Sequence, residues 1–292
     1  MLRNKIEIVY RYDPDDPSPK AEPATAEEAR LMLEQGNRGF AELLTATPLE
    51  CGMRRRVLPL DPRNFGFGEV EGQAPAQRPF AAVLACSDAR VPTEQIFGGG
   101  ANDMFVVRVA GNVLGDECLG SLRYAAHHFA SSIKLAVVLA HASCGAVTEA
   151  TDAFLDPERY LSLATNHSLR AILDQILVSV RAAALAIDAV HGRDTASKSG
   201  YRRALIELSV PLNCVWNAFC LQEEFRTQGH DHVTVVYGVY DLASRYIRLP
   251  YSKGAPTPAE CGLFTPPRNA DEFRTISRDL AAGEFLRHLL ES

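Results

Sequence analysis

Four short apolar runs limit how this chain can fold. "FAAVLA" (80–85), "MFVVRVA" (104–110), "KLAVVLA" (134–140) and "HVTVVYGVY" (232–240) are rich in β-branched residues and nearly free of charge. A strand with one wet face alternates apolar and polar residues, whereas a strand covered on both faces does not. These runs therefore read as strands of a sheet buried on both sides. Between the second and third, Leu119, Leu122, Ala126 and Phe129 recur at helical spacing. Alternating strand and helix predicts an α/β fold, a mainly parallel central sheet of about four to five strands flanked by helices. Ligands of such sheets gather beyond the carboxyl ends of the strands.

The rest of the chain is read around that sheet. Residues 1–23 are polar, and the prolines of "DPDDPSPKAEP" interrupt regular structure, so they are expected to form an extended N-terminal arm. Thr25 and Glu28 form a capping-box pattern that opens a helical arm through "AEEARLMLEQGNRGFAELL", with Gly36 as its weak point. Residues 60–79 read as loop. Residues 166–191 and 198–228 read as long helices, the second kinked or divided at Pro211. "VVYGVYDLASRYIRL" reads as a hairpin closing one sheet edge. The expectation is one domain over residues 24–250, followed by a tail at 251–292 with a short helix.

Composition narrows the function classes. With 47% hydrophobic residues the chain can bury a substantial core. A net charge of −6 argues against nucleic acid or an anionic membrane as partner, since both need a positive field. No apolar run approaches the ~20 residues of a membrane helix, and the charged N-terminus has no signal-peptide core. Seven scattered cysteines, an odd number, read as reduced thiols in a cytoplasmic protein. Cys118, Cys214, Cys220 and Trp216 read as packing residues, and His230 and His232 as loop residues. His127 and His128 lie on an exposed helix face. "RRR" at 54–56 is expected to be solvated, or paired with the acidic arm.

The chemistry is concentrated at two strand ends. "FAAVLA" runs into "CSDAR" (86–90), where an extended backbone would put Cys86, Asp88 and Arg90 on one face. "KLAVVLA" runs into "HASCG", where His141 and Cys144 stand at a spacing that lets both reach one ion. Two sulfurs and one imidazole nitrogen suit zinc. Asp88 is the candidate fourth ligand, displaceable because Arg90 can also hold it. An open fourth position marks a catalytic rather than a structural zinc site.

With these residues in view, the sequence resembles the β-class carbonic anhydrases. "CSDAR", "FVVRVAGN" (105–112), "HASCG" (141–145), the upstream "EQGNRGFAE" (34–42) and the strand "VVYGVYD" occur in that family's order, across roughly residues 25–250. The resemblance implies that Cys86, His141 and Cys144 bind zinc and that Asp88 and Arg90 form the catalytic dyad. It further implies that Gln77 hydrogen-bonds substrate, as in the plant-like subgroup, and that Gly145 offers its backbone near the metal water. Tyr124 would line a neighbouring subunit's pocket, in a homodimer or a multiple of one. Arg123 departs from the family's usual Glu, Ala140 from Gly and Val109 from Asn.

The implied activity is reversible hydration of carbon dioxide to bicarbonate and a proton. Zinc can lower the pKa of water from 15.7 to about 7, and carbon dioxide is a small electrophile. Two alternatives stand beside it. One is a related zinc hydrolase acting on carbon disulfide or carbonyl sulfide. The other is a non-catalytic bicarbonate sensor or structural zinc protein, for which a displaceable Asp88 and its Arg90 would have no use.

Overall fold

The protein is described here from a computed structural model covering residues 5–12, 22–45, 53–66, 74–163, 165–251 and 260–292. Its centre is a four-stranded parallel sheet of β3 (Ala81–Ala85), β4 (Met104–Arg108), β5 (Leu135–His141) and β6 (Thr234–Tyr240), in the order β4-β3-β5-β6. The strands are those that the apolar runs predict. β3 and β5 pair from Ala81 opposite Leu135 to Ala85 opposite Leu139, which brings their carboxyl ends together.

Both faces of the sheet are covered. Ala82 and Leu84 of β3 and Ala136 and Val138 of β5 pack into one cluster. The alternate residues Ala81, Val83, Ala85, Leu135, Val137 and Leu139 pack into the other. The first cluster is covered by α3 (Asp116–His128), α4 (Gly145–Leu155), α6 (His167–His191) and α7 (Tyr201–Thr227). The second is covered by α1 (Ala26–Thr45) and α2 (Thr93–Phe97). The short α5 (Pro157–Ser162) leads into α6. Every strand residue of β3 is buried, which explains why its sequence shows no alternation.

The start of α1 follows its capping pattern. The Glu28 N–H donates to Thr25 Oγ1 at 3.1 Å, and the Glu28 carboxylate accepts from the Ala24 N–H at 2.7 Å. Gly36 does not weaken this helix. It is where α1 meets α2, since a Cβ there would lie 1.7 Å from the Phe97 carbonyl oxygen.

Several expectations are corrected. Within the arm, Lys5–Arg11 forms β1, paired in parallel with β2 (Met53–Pro59). The arm's prolines follow this strand, and residues 13–21 lie outside the described residues. The arginine run is part of β2, and of its two expected readings the pairing with the arm is the one found. Arg55 pairs with Glu7 of the arm at 2.8 Å, and Arg56 donates to the Gly36 carbonyl at 2.7 Å. The loop expected at 60–79 contains a 3-10 turn over Pro62–Phe65.

Pro211 does not divide α7, which runs unbroken from Tyr201 to Thr227. This helix is long and apolar enough to pass for a membrane span, contrary to the expectation that no run approaches that length. However, 78% of its most apolar window is buried within the protein. A helix that is apolar all round is a core helix when other elements surround it.

The expected hairpin after β6 is present but short, its return also held to β6 by the Arg248 N–H donating to the Val239 carbonyl at 2.8 Å. The Asp241 N–H donates to the Tyr246 carbonyl at 2.9 Å, and the return makes an isolated bridge between Tyr240 and Ile247. The segment read as a tail contains two helices, α8 (Ala270–Ala282) and α9 (Glu284–Glu291). Leu280, Leu286, Leu289 and Leu290 from them enter the larger core cluster.

Replacing Gly36 by Ala should destabilise the protein by roughly 1–3 kcal/mol, because a backbone carbonyl cannot give way as a side chain can. Gly120 of α3 has nothing within 4 Å of an added Cβ, so Gly120→Ala should instead stabilise; the gain should be roughly 0.5–1 kcal/mol. Urea midpoints of the two variants should move in opposite directions.

Candidate metal centre

The strand order sends successive connections opposite ways. From β3 the chain moves through α2 to β4 on one side, and from β5 it moves through α4–α7 to β6 on the other. The crevice between the carboxyl ends of β3 and β5 is therefore a topological switch point, the usual place for a ligand in an open parallel sheet. Cys86 follows β3 directly. His141 ends β5, and Cys144 precedes the first residue of α4.

These three side chains are buried, and their donor atoms lie within 4.8 Å of one another. The two sulfurs are 4.0 Å apart. Ser143 makes this possible. Its left-handed backbone, φ 54°, turns the chain sharply between His141 and Cys144. The Ser143 hydroxyl donates to Glu207 of α7 at 3.2 Å, which braces the turn.

The imidazole is oriented for ligation. His141 is fully buried, and its Nδ1 lies 3.0 Å from the Ala142 carbonyl oxygen. That acceptor assigns the ring proton to Nδ1. Nε2 then carries a lone pair and has no hydrogen-bond partner. An orphaned buried nitrogen costs about 1–3 kcal/mol. Beside two thiols it forms a soft donor set with the composition of a Cys2His zinc site, and these residues fit such an ion.

The thiols are electrostatically unequal. The Cys144 thiol donates to Cys86 and lowers its pKa to about 4, against the opposing effect of burial and with help from His141. The Gly111 N–H adds a contact to the Cys86 sulfur at 3.3 Å. Cys144 is pushed the other way, by the adjacent Cys86 sulfur and then by burial, although the Val147 and Ala146 N–H groups at the start of α4 oppose this. For His141, burial favours the neutral ring, but the Cys86 sulfur outweighs it and the net shift is upward.

Asp88 and Arg90 meet for a different reason than strand alternation. β3 ends at Ala85, and residues 88–91 form a turn closed by the Val91 N–H donating to the Asp88 carbonyl at 3.0 Å. Arg90 Nε and Nη2 donate to Asp88 Oδ1 and Oδ2 at 2.9 and 2.6 Å, and the Arg90 N–H adds a bond at 2.8 Å. This fork holds the Asp88 carboxyl well below the usual carboxylate range. Asp88 Oδ2 stands 3.7 Å from His141 Nε2. The structure places Asp88 in the grip of Arg90, outside the converging set of donors.

Of the other residues singled out in the sequence, Gln77 and Tyr124 stand apart from this centre in the chain and Gly145 adjoins it. Gln77 is exposed and precedes β3, at the end of the strand opposite Cys86. Tyr124 is 48% exposed on α3, stacked on His128 at 4.0 Å between ring centres. Gly145 is exposed beside Cys144. Cys214 is a core thiol, its S–H shared between the Val138 and Gly238 carbonyls at 3.1 and 3.2 Å.

Sequence reasoning missed Arg108. From the end of β4 its Nε donates to the Cys86 carbonyl at 3.1 Å and its Nη2 to the Asp88 carbonyl at 2.6 Å. It thus clamps the whole ligand loop onto the neighbouring strand. A lone arginine in the run "MFVVRVA" was the available signal. Asn213 of α7 was also missed; it donates to the Gly111 carbonyl at 2.8 Å and so fixes the loop that contacts the Cys86 sulfur.

The family model described as carbonic anhydrase matches residues 81–246, more than half of the chain. The chain belongs to the β-carbonic anhydrase family. It is 36% identical over 151 residues to a carbonic anhydrase of Mycolicibacterium smegmatis, covering 51% of this chain and 71% of that one. It is 47% identical over 85 residues to carbonic anhydrase 2 of Mycobacterium tuberculosis, which is 29% of this chain and only 40% of that relative.

Solved structures are more distant. A Coccomyxa β-carbonic anhydrase bound to acetazolamide is 22% identical, with a TM-score of 0.43 over 62% of this chain and 75% of that one. A tetrameric enzyme of Sordaria macrospora is 19% identical, with a TM-score of 0.43 over 64% and 83%.

Two results should follow from the centre's geometry. Arg108→Met should lower metal affinity about 10- to 100-fold, with little change in circular dichroism, because it frees the ligand loop while keeping the strand. A competition titration against a chromophoric chelator would show this. Metal binding should also release about one proton near pH 8, chiefly from Cys144, so affinity should fall roughly tenfold per unit as pH falls. His141, whose pKa is raised, takes up a further proton at lower pH and steepens that loss. Calorimetry in buffers of different ionisation enthalpy measures the proton count.

Proposed function

We propose that this protein catalyses the reversible hydration of carbon dioxide to bicarbonate and a proton, with zinc held by Cys86, His141 and Cys144. The observation that carries the reading is the buried, unpartnered His141 Nε2 beside two cysteine sulfurs, with an arginine-held carboxylate 3.7 Å away. Membership of the carbonic anhydrase family supports it. When bound, zinc supplies the Lewis acidity that makes water nucleophilic at neutral pH.

The residues divide the remaining work. Arg90 keeps Asp88 ionised and fixes both its oxygens. A fixed carboxylate can accept a hydrogen bond from the attacking water and aim the lone pair at the substrate carbon. Arg90 is 60% exposed at its side chain, so this pair lies on the solvent side of the centre. Arg108 and Glu207 keep the two ligand loops in register. Carbon dioxide itself needs only an apolar space beside the nucleophile.

We further propose a homodimer or a multiple of one. The small β1–β2 sheet leaves Ile8 and Tyr10 exposed on one face and Met53 and Val57 on the other, between 36% and 45%, apolar surface that a second copy would cover. Tyr124 would then be free to serve a neighbour's pocket.

Stopped-flow hydration with parallel metal analysis tests the reading. Cys86→Ser, His141→Ala and Cys144→Ser should each lose both zinc and activity. A His141→Ala protein with a full complement of zinc and wild-type turnover would overturn the assignment. Arg90→Ala should keep its zinc yet lose about a hundredfold or more in kcat/KM, since Asp88 is released from its fork. Sedimentation should show dimers or larger species at micromolar concentration, and an active monomer would refute the assembly.

A further inference from the structure

Half of the chain's eight histidines lie in one place, remote in sequence from the Cys86 centre. His127 and His128 end α3, and His230 and His232 lie between α7 and β6. Their rings form a connected chain. Ring centres are 5.2 Å apart for His127 and His128, 6.2 Å for His127 and His230, and 6.0 Å for His230 and His232. His127, His128 and His232 are exposed and His230 is half-buried.

These spacings can be compared with what one ion requires. A ring nitrogen about 2.0–2.1 Å from a metal puts the ring centre about 3.2 Å from it, so two rings sharing an ion lie at most about 6.5 Å apart. The pairs His127–His230 and His230–His232 both satisfy that limit, with His230 between the other two rings. The donor nitrogens do not yet meet at one point, since the sole converging set among the described residues is Cys86, His141 and Cys144. The exposed rings of His127 and His232 can turn toward His230 by side-chain rotation alone.

The hydrogen bonds also match a ligating arrangement. Metal-binding histidines usually donate their second ring N–H to a backbone carbonyl or carboxylate. His232 Nε2 lies 3.2 Å from the Ala126 carbonyl oxygen, which leaves Nδ1 as its lone-pair nitrogen. His128 makes the equivalent contact through Nδ1 with the Tyr124 carbonyl at 3.1 Å. His141 shows the same pattern at the first centre. The neighbouring cation, Arg123, is already paired with Glu224 at 3.3 Å and with Gln228 at 2.9 Å, which offsets its repulsion of an incoming ion. Asp231, between His230 and His232, adds negative charge.

We infer that His127, His230 and His232 form a second metal site, for a borderline transition cation such as Ni2+, Cu2+ or Zn2+, at the junction of α3 and the α7–β6 loop. Imidazole nitrogens select such ions over Mg2+ and Ca2+, which prefer oxygen. The site is independent of the catalytic reading, since none of its residues belongs to the Cys86 centre.

The test is a titration of untagged, zinc-loaded full-length protein with Ni2+, read by calorimetry and equilibrium dialysis. One equivalent should bind at micromolar concentration beyond the zinc already present, and Mg2+ should not compete. The double variant His127→Gln/His230→Gln should weaken that binding at least tenfold while its zinc content stays at the wild-type level. His232→Gln alone should weaken it several-fold. Absence of the extra equivalent in wild-type protein, or its survival unchanged in the double variant, would overturn the inference.

Discussion

The parallel pairing of β3 with β5 is the constraint on which the rest depends. Five residue pairs in register, from Ala81–Leu135 to Ala85–Leu139, bring Cys86, just past β3, level with the last residues of β5 at Ala140 and His141. Only then can a thiol from one strand end and an imidazole and thiol from the next meet around one point. Parallel strands cannot be joined by a tight turn, so the intervening chain must cross the sheet. Those crossovers bury both faces and leave the switch-point crevice as the open place at that edge. Fold and site are thus one consequence of the same strand order.

Much of this was legible in the sequence because buried parallel strands have an unusual composition. The four apolar runs located every strand of the main sheet, and the Thr25–Glu28 pattern located the start of α1. What was not legible were features decided by distant partners. β1 carries Glu7 and Tyr10 in a polar context, and it is a strand because β2 lies beside it, 48 residues away at Arg55. Gly36 looked like a flaw in a helix because the carbonyl of Phe97 that demands it is far along the chain. The helices α8 and α9 have strongly amphipathic sequences, but without a visible partner they gave no sign of entering the core.

The site shows the same division. The residue types of Cys86, Asp88, Arg90, His141 and Cys144 and their spacing could be read directly. The reason Asp88 and Arg90 meet could not, because alternation presumes that the strand continues past Ala85. A turn achieves the juxtaposition instead, and it does so with an internal arginine fork rather than a shared strand face. Arg108, Glu207 and Asn213 escaped notice because each acts on a remote segment, Arg108 and Asn213 on backbone carbonyls and Glu207 on the Ser143 hydroxyl. A side chain aimed at a remote carbonyl or turn leaves no local pattern.

Polar residues in otherwise apolar elements are where this protein stores its positional information. α7 is a core helix, yet Glu207, Asn213 and Asn217 interrupt it. Asn213 reaches Gly111 and Asn217 accepts from the Leu114 N–H at 3.2 Å, so the loop after β4 is pinned at two points. Glu207 braces the turn that carries Cys144. Apolar packing alone would hold α7 against the sheet but would leave these loops free to slide by a fraction of an ångström. Directional hydrogen bonds in a low-dielectric interior remove that freedom, and burial makes each one costly to break. The departure at Arg123 follows the same logic on the outer side of the helix pair. Its guanidinium joins α3 to Glu224 and Gln228 of the α7 end. The polarity beside Tyr124 is therefore committed within the chain, and the Tyr124 ring packs there against Phe105 and Phe129.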